Sequence, residues 1–148
     1  MKLYLNDVGV LTYLLYDLNV NAVLQDIKSI NLGTVYESVV AQELVAHGFK
    51  LHYYDNKQKG EVDFLIDDHD NLTVLPLEIK SGKDYTKHSA LTKFLDTPEY
   101  GINQAFVFSN EREIFKKKGV TYLPVYYCMF LQNKHHDDSV ILPELESV

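Results

Sequence analysis

Two apolar stretches near the middle of the chain are interrupted by charged residues. Residues 60–66 and 75–82 are rich in valine, leucine and isoleucine, which favours β-strands. Side chains alternate between the two faces of a strand, so Glu78 and Lys80 are predicted to share one face of the second strand. Its other face is predicted to carry Leu75, Leu77 and Ile79.

The same alternation assigns the side chains of the first stretch. Asp63 is predicted to share a face with Leu65. The opposite face is predicted to carry three apolar residues, Val62, Phe64 and Ile66. A charge in a strand that is otherwise apolar is costly unless it is paired or bound to a metal. Asp63, Glu78 and Lys80 are therefore the candidate functional residues.

The pattern along the rest of the chain predicts an α/β architecture. Apolar residues at helical spacing predict helices at 8–18, 33–47 and 87–95, the second ended by Gly48. Shorter apolar runs predict strands at 49–54, 62–66, 72–80, 104–109 and 120–125. The first three strands fit an antiparallel meander, and the helix at 87–95 fits a crossover to the fourth strand. We therefore expect an α/β sandwich with a mixed central sheet flanked by helices.

Less regular segments lie at both ends of the chain. Residues 1–5 are expected to be extended, and 19–31 fit a loop or a short helix. Residues 132–148 are polar and acidic, which predicts a flexible tail. Within the predicted strand at 72–80, Pro76 removes a backbone donor and predicts a local edge or bulge. A length of 148 residues predicts one domain, which we place at 1–131.

Composition narrows the classes of function. The one cysteine, Cys128, excludes an internal disulfide, and the N-terminus lacks a signal-peptide pattern, so a cytoplasmic location is expected. The formal net charge is −7 and Arg112 is the one arginine. A stand-alone, tight binder of nucleic acid would normally present a basic face. The acidic net charge therefore argues against a stand-alone, tight binder of nucleic acid.

The charged residues of the two strands fit metal chemistry. Two carboxylates, Asp63 and Glu78, can hold a hard cation such as Mg²⁺ or Mn²⁺ through oxygen. Lys80 lies two residues beyond Glu78, where it could orient an attacking water or stabilise developing charge. The alternative is an ion-pair cluster with a purely structural role. The residues alone leave both interpretations open.

Glu37 has two interpretations of its own. It heads an apolar stripe of the helix at 33–47, from which a third acid could reach the site. However, Thr34 and Glu37 also fit a capping box, in which the glutamate binds the backbone at the start of the helix. The local pattern slightly favours the capping box.

The combined pattern resembles the PD-(D/E)XK nuclease superfamily. A helical glutamate, an aspartate and Glu-x-Lys on successive elements match Glu37, Asp63, Glu78 and Lys80. Val62 stands where the proline of that pattern would be. The resemblance implies a restriction-endonuclease-like αβββαβ core and metal-dependent hydrolysis of DNA. It also implies that the metal ligands are Asp63, Glu78, Glu37 and the Ile79 carbonyl. Lys80 would position the water.

A narrower resemblance covers roughly residues 2–131, which is nearly the whole chain. The segments 2–9, 36–44, 61–64 and 78–82 resemble a domain of unknown function at the C-terminus of bacterial and archaeal AAA+-type ATPases. It implies that 1–31 is an extension that joins an upstream module.

The chain itself does not carry the phosphate-binding loop of those ATPases. Gly82 and Lys83 are followed by Asp84 instead of serine or threonine, and Leu77 occupies the place of the first glycine. An ATPase module is thus a possible partner, and the chain is not the ATPase. The alternative to a nuclease is a catalytically inactive module that regulates such an ATPase or binds other proteins.

Overall fold

The computed structural model describes residues 4, 5, 7–16 and 32–133, and its centre is a mixed six-stranded sheet flanked by helices. The strands are β1 (His52–Asn56), β2 (Gly60–Asp68), β3 (Thr73–Lys80), β4 (Ala105–Ser109), β5 (Phe115–Lys117) and β6 (Val120–Pro124). Their order across the sheet is β1-β2-β3-β4-β6-β5. The α/β architecture with a mixed sheet is confirmed.

The strand pairs follow the predicted connections. β1, β2 and β3 form an antiparallel meander, while β3 and β4 pair in parallel. Parallel strands need a crossover, and the helix between β3 and β4 supplies it. β4 and β6 are also parallel, and β5 pairs antiparallel with β6. At Pro76 the strand is paired with Leu65 of β2, and its pairing with β4 begins only at Leu77.

The helices begin and end at recognisable local signals. They are α1 (Val8–Tyr16), α2 (Gly33–Ala46) and α3 (Ser89–Leu95), with 3₁₀ turns at Pro98–Tyr100 and Val125–Phe130. Asp7 Oδ1 accepts the Val10 N–H at 2.9 Å, as expected of a residue that caps α1. Gly48 has a φ of 77°, and the N–H groups of Gly48 and Phe49 bind Val45 O and Leu44 O. These two bonds form a Schellman motif, so Gly48 ends α2 as predicted.

Three local predictions were wrong. α2 begins at Gly33 with Leu32 as its N-cap and no side-chain cap, so Glu37 lies too far into the helix for a capping box. The first strand begins at His52 rather than 49, because the Phe49 N–H is used in ending α2. The third error is an omission, because residues 111–118 are polar and no strand was predicted where β5 lies. Lys118 and Gly119 both have positive φ, and such a two-residue turn pairs β5 with β6.

Two apolar clusters pack against opposite faces of the sheet. The face covered by α2, here the α2 face, buries Val40, Ala41, Leu44, Phe64, Ile66, Leu77, Ile79, Phe108 and Cys128. The face covered by α3, the α3 face, buries Val62, Leu91, Phe94, Ile102, Ala105, Val107, Val120 and Tyr122. Gly60 permits the close approach of α3, since a Cβ at its φ of 96° would lie 2.8 Å from the Ala90 Cβ.

Some expectations fall on residues outside this description. The N-terminal extended segment, the stretch 19–31 and most of the tail lie wholly or partly there, as does the predicted end of the first helix at residue 18. Among the described residues, no helix combines the length and apolarity that a membrane span requires.

Candidate functional site

β2 has one extra residue, as in a β-bulge, between Val62 and Leu65, the span that holds the first candidate residue, Asp63. His52 pairs with Leu65 and Tyr54 pairs with Val62, so two steps along β1 correspond to three steps along β2. The extra residue shifts the alternation by one position. Val62 therefore packs in the α3-face cluster, whereas Phe64 packs in the α2-face cluster. The prediction that Val62 and Phe64 share a face was wrong for this reason.

The bulge leaves the Asp63 side chain directed at β3. The paired residues of β2 and β3 end at Phe64 and Leu77, and beyond them Asp63 Oδ2 accepts the Ile79 N–H at 2.8 Å. The carboxylate thus takes the place of a backbone acceptor. In an extended strand the N–H and C=O of one residue lie on the same edge, so the Ile79 carbonyl is also on the β2 side.

Glu78 and Lys80 lie on the α3 face of β3. Leu77 and Ile79 pack in the α2-face cluster, so the residues that alternate with them face the other way, as predicted. Glu78 is buried with 5% exposure, and its Oε1 lies 2.7 Å from Lys80 Nζ. Lys80 keeps 30% of its side chain exposed. The pair therefore runs from the interior towards solvent, close to the Asp63–Ile79 hydrogen bond.

His88 and Tyr122 adjoin this pair and were not predicted to be part of a site. His88 is the N-cap residue of α3, and its Nε2 lies 2.6 Å from the Tyr122 hydroxyl. Burial and then the nearby Lys80 ammonium lower the pKa of His88, and burial raises the pKa of Tyr122. Both shifts favour the uncharged forms of the two side chains. Sequence patterns could not reveal this contact, because it depends on the parallel pairing of β6 with β4.

Glu37 belongs to the helix that covers the opposite face. Its helix, α2, buries Val40, Ala41 and Leu44 against the α2 face, whereas Glu78 and Lys80 face α3. Among the described residues, no group of three or more His, Cys, Asp or Glu side chains is close enough together to hold a metal ion. The role of Glu37 as a further ligand therefore stays a prediction.

A separate cavity of about 330 Å³ lies near the hairpin between β2 and β3. Ile66, Leu75 and Phe106 contribute apolar surface, and Asp67, Asp68 and Asp70 contribute acids. Asp68 has a structural role there, since it accepts hydrogen bonds from Asn71 and Gln104. Those bonds, chiefly the one from Asn71, lower its pKa. Neither Glu78 nor Lys80 lines this cavity, so it is distinct from the candidate site.

The chain matches a protein-family model. A model of the family DUF4143, described as a domain of unknown function, matches residues 32–128. No curated protein matches the chain. The matched region spans about two thirds of the sequence, from the start of α2 through all six strands, and includes Glu37, Asp63, Glu78 and Lys80.

Proposed function

The chain belongs to DUF4143, a family described as a domain of unknown function, and we propose that its site is a metal-dependent phosphodiesterase of the PD-(D/E)XK nuclease type. Asp63 and Glu78 are the proposed ligands of Mg²⁺ or Mn²⁺, and the Ile79 carbonyl is a further oxygen ligand. Lys80 is the proposed positioning group for water, and Glu37 the proposed outer ligand that acts through water. The proposed substrate is DNA.

The observation that carries this proposal is the hydrogen bond from the Ile79 N–H to Asp63 Oδ2 at 2.8 Å. It ties a carboxylate of β2 to the backbone between Glu78 and Lys80. Without the bulge in β2, Asp63 would follow the regular alternation of the strand. Bulges are frequent beside active sites because they redirect one side chain. The distortion therefore supports a site built from carboxylates of two neighbouring strands.

The donor set fits a hard divalent cation. Asp63, Glu78 and the Ile79 carbonyl provide oxygen atoms alone, which are the ligands that Mg²⁺ and Mn²⁺ prefer. Glu78 is buried, so its charge needs a cationic partner, and Lys80 is one such partner at 2.7 Å. A cation bound there would polarise a phosphodiester oxygen and lower the pKa of a bound water.

The side chains have separate tasks in this proposal. The hydrogen bond from the Ile79 N–H fixes the orientation of the Asp63 carboxylate. Metal binding therefore costs little further conformational entropy at this side chain. Lys80 Nζ donates hydrogen bonds, and from its half-exposed position it can orient the attacking water against the phosphorus. The burial of Glu78 limits competing water around the carboxylates.

The connectivity supports a restriction-endonuclease-like core. α2 is followed by the antiparallel meander β1 to β3, then by α3 and the parallel strand β4. That order corresponds to the αβββαβ sequence of elements in the proposed fold. A shared fold does not establish shared activity, so the argument for activity rests on the site.

A second candidate function is a non-catalytic module of an AAA+-type ATPase. The net charge of −7 and the single arginine favour it, because phosphate contacts supply much of the affinity for nucleic acid. The apolar surface of α1 favours it too. α1 buries none of its residues, and Tyr13 and Leu14 are 58% and 66% exposed. Such a surface is typical of contacts with other proteins.

Calorimetric titration with Mn²⁺ tests the metal site. We expect the wild type to bind Mn²⁺ and Glu78→Gln to lose that binding, because the amide removes the buried anionic ligand. Glu113→Gln, at an exposed position, is the control for loss of one negative charge and should bind normally. Equal binding by wild type and Glu78→Gln would place any metal elsewhere.

Cleavage assays with Lys80→Ala test the proposed chemistry. Loss of one group that stabilises the transition state typically lowers the rate by about 10²–10³-fold, and we expect a loss of that size. Lys87→Ala is the matched control, because Lys87 is 76% exposed and pairs with Asp84 at 2.8 Å. Metal-dependent cleavage that is unchanged in Lys80→Ala would refute the mechanism. Absence of cleavage with retained Mn²⁺ binding would favour the non-catalytic module.

A further inference from the structure

Four aromatic rings gather on the α3 face beside Lys80. This aromatic cluster consists of Tyr85, His88, Phe115 and Tyr122. The Phe115 and Tyr122 rings stack with centroids 4.4 Å apart, and Tyr85 meets both edge-on at 6.4 and 6.1 Å. The His88 ring lies 5.7 Å from that of Tyr122. Tyr122 is buried beneath the others with 4% exposure, while Tyr85, His88 and Phe115 remain partly accessible.

The sheet register connects this cluster to the carboxylates. Glu78 pairs with Val107, Val107 with Tyr122, and Tyr122 with Phe115, so these four side chains form one row across four strands. Neighbouring strands are about 4.8 Å apart, which places Tyr122 about 10 Å and Phe115 about 14 Å from Glu78. A nucleotide next to a phosphate held at Glu78 could therefore reach the cluster.

The loop that carries Tyr85 leaves room for a ligand. Tyr85 follows Lys80 by five residues, and a Cβ added to the intervening Gly82 would meet no atom within 4 Å. Lys83 is exposed in the same loop. The loop between Lys80 and Tyr85 is therefore exposed to solvent around Gly82 and Lys83.

Charge restricts what such a ligand can be. Tight binding to duplex DNA relies on many contacts from lysine and arginine to phosphates. A chain with a net charge of −7 and one arginine is poorly suited to that mode. Stacking of bases on aromatic rings gains affinity without a basic surface, and unpaired bases are the ones that present their faces.

We propose that Tyr85, His88 and Phe115 form a stacking site for an unpaired nucleobase beside the phosphate, so that single-stranded nucleic acid is the substrate class. This inference rests on the proposed nuclease function and specifies its substrate. Tyr122 supports the other rings from below through its stack with Phe115 and its hydrogen bond to His88.

Fluorescence anisotropy with a labelled single-stranded oligonucleotide and its duplex tests the stacking site. The protein is the full chain carrying Lys80→Ala, in Mn²⁺, so that binding is measured while cleavage is slowed. We expect the single strand to bind about tenfold more tightly than the duplex. Tyr85→Leu and Phe115→Leu keep apolar volume but remove the aromatic face, and each should weaken single-strand binding about tenfold.

Two control variants separate stacking from folding. Tyr85→Phe keeps the ring and should bind as the parent does. Tyr53→Leu removes an aromatic ring that is 48% exposed on β1, at the other edge of the sheet, and should have no effect. A Tyr85→Phe variant as weak as Tyr85→Leu would mean that the hydroxyl, and not the ring, is required.

The outcomes distinguish failure of this inference from failure of the proposed function. Equal binding of single strand and duplex, or full binding by Tyr85→Leu, would overturn the stacking site while leaving the metal site intact. No binding of either nucleic acid, with Mn²⁺ binding retained, would overturn the stacking site and favour the non-catalytic module. A wild-type protein that does not bind Mn²⁺ would instead refute the proposed function.

Discussion

The two faces of the sheet differ in what they bury. The buried cluster of the α2 face consists of apolar side chains and Cys128. The α3 face buries a similar apolar cluster but also holds Glu78, the one charged residue that is buried in the described part of the chain. Burying a charge costs free energy that apolar packing does not. Both faces therefore contribute apolar packing, and among the described residues the α3 face adds a buried charged group capable of chemistry.

Cys128 illustrates the same difference between the two faces, because it is a potentially reactive side chain buried on the α2 face. Burial raises the pKa of the Cys128 thiol to about 11. The thiolate is the reactive form of cysteine, so this side chain behaves as a small apolar group at neutral pH. On the α3 face, by contrast, Lys80 remains half-exposed and paired. Of these two side chains, Lys80 is the accessible one.

The largest expected effect is on stability at the α2 face. Leu77 is fully buried next to Glu78 in β3, and Leu77→Ala should lower the free energy of unfolding by about 2–5 kcal/mol, because it leaves a cavity. Leu72→Ala, at a side chain that is 92% exposed, should change it by less than about 0.5 kcal/mol. Urea denaturation of both variants measures the difference. Similar values for the two would show that packing of Leu77 on the α2 face does not stabilise the fold.

A smaller effect is expected at Asp63, which accepts a backbone hydrogen bond and is also a proposed metal ligand. Asp63→Ala in chelator should lower the free energy of unfolding by about 1–3 kcal/mol, because it leaves the Ile79 N–H without this acceptor. Asp63→Asn keeps an oxygen acceptor and relieves repulsion from Glu78, so it should be at least as stable as the wild type. Thermal denaturation with and without Mn²⁺ measures both. A clearly destabilised Asp63→Asn would indicate a structural ion-pair network.

The smallest expected effect is the dependence of stability on pH at His88. Burial and Lys80 lower the pKa of His88 below its usual 6.5, so below that pH the unfolded chain binds a proton more readily than the folded one. Stability from neutral His88 is therefore full above 6.5 and lost as the pH falls towards the folded pKa, by at most about 1.4 kcal/mol per pH unit. His88→Gln should flatten this slope in denaturation series. An unchanged slope would show that His88 does not titrate differently on folding.

Most of the architecture could be predicted from local patterns. The meander, the crossover helix and the end of α2 at Gly48 follow from apolar periodicity and from glycine at a positive φ. β5 was missed because its three residues, Phe115–Lys117, carry too short an apolar signal and its turn residues include a lysine. The capping box at Glu37 was wrong because the N-cap is Leu32, two residues before the Thr34 that the motif required.

The candidate site could likewise be predicted only in part. That Glu78 and Lys80 share a face follows from their spacing of two within an uninterrupted strand. The bulge in β2 could not be predicted, because it depends on how β1 and β3 pair with β2. The contact of His88 with Tyr122 joins residues 34 positions apart and needs two strand pairings to form.

The sequence by itself therefore determined the elements and the residue types at the site, because periodicity and turn chemistry act over a few residues. The tertiary structure alone decided that Asp63 binds Ile79, that Val62 and Phe64 face opposite ways, and that Glu37 lies on the helix of the other face. Those outcomes depend on strand register and on which helix covers which face. Both are set by packing among distant segments, where a one-residue shift exchanges the two faces.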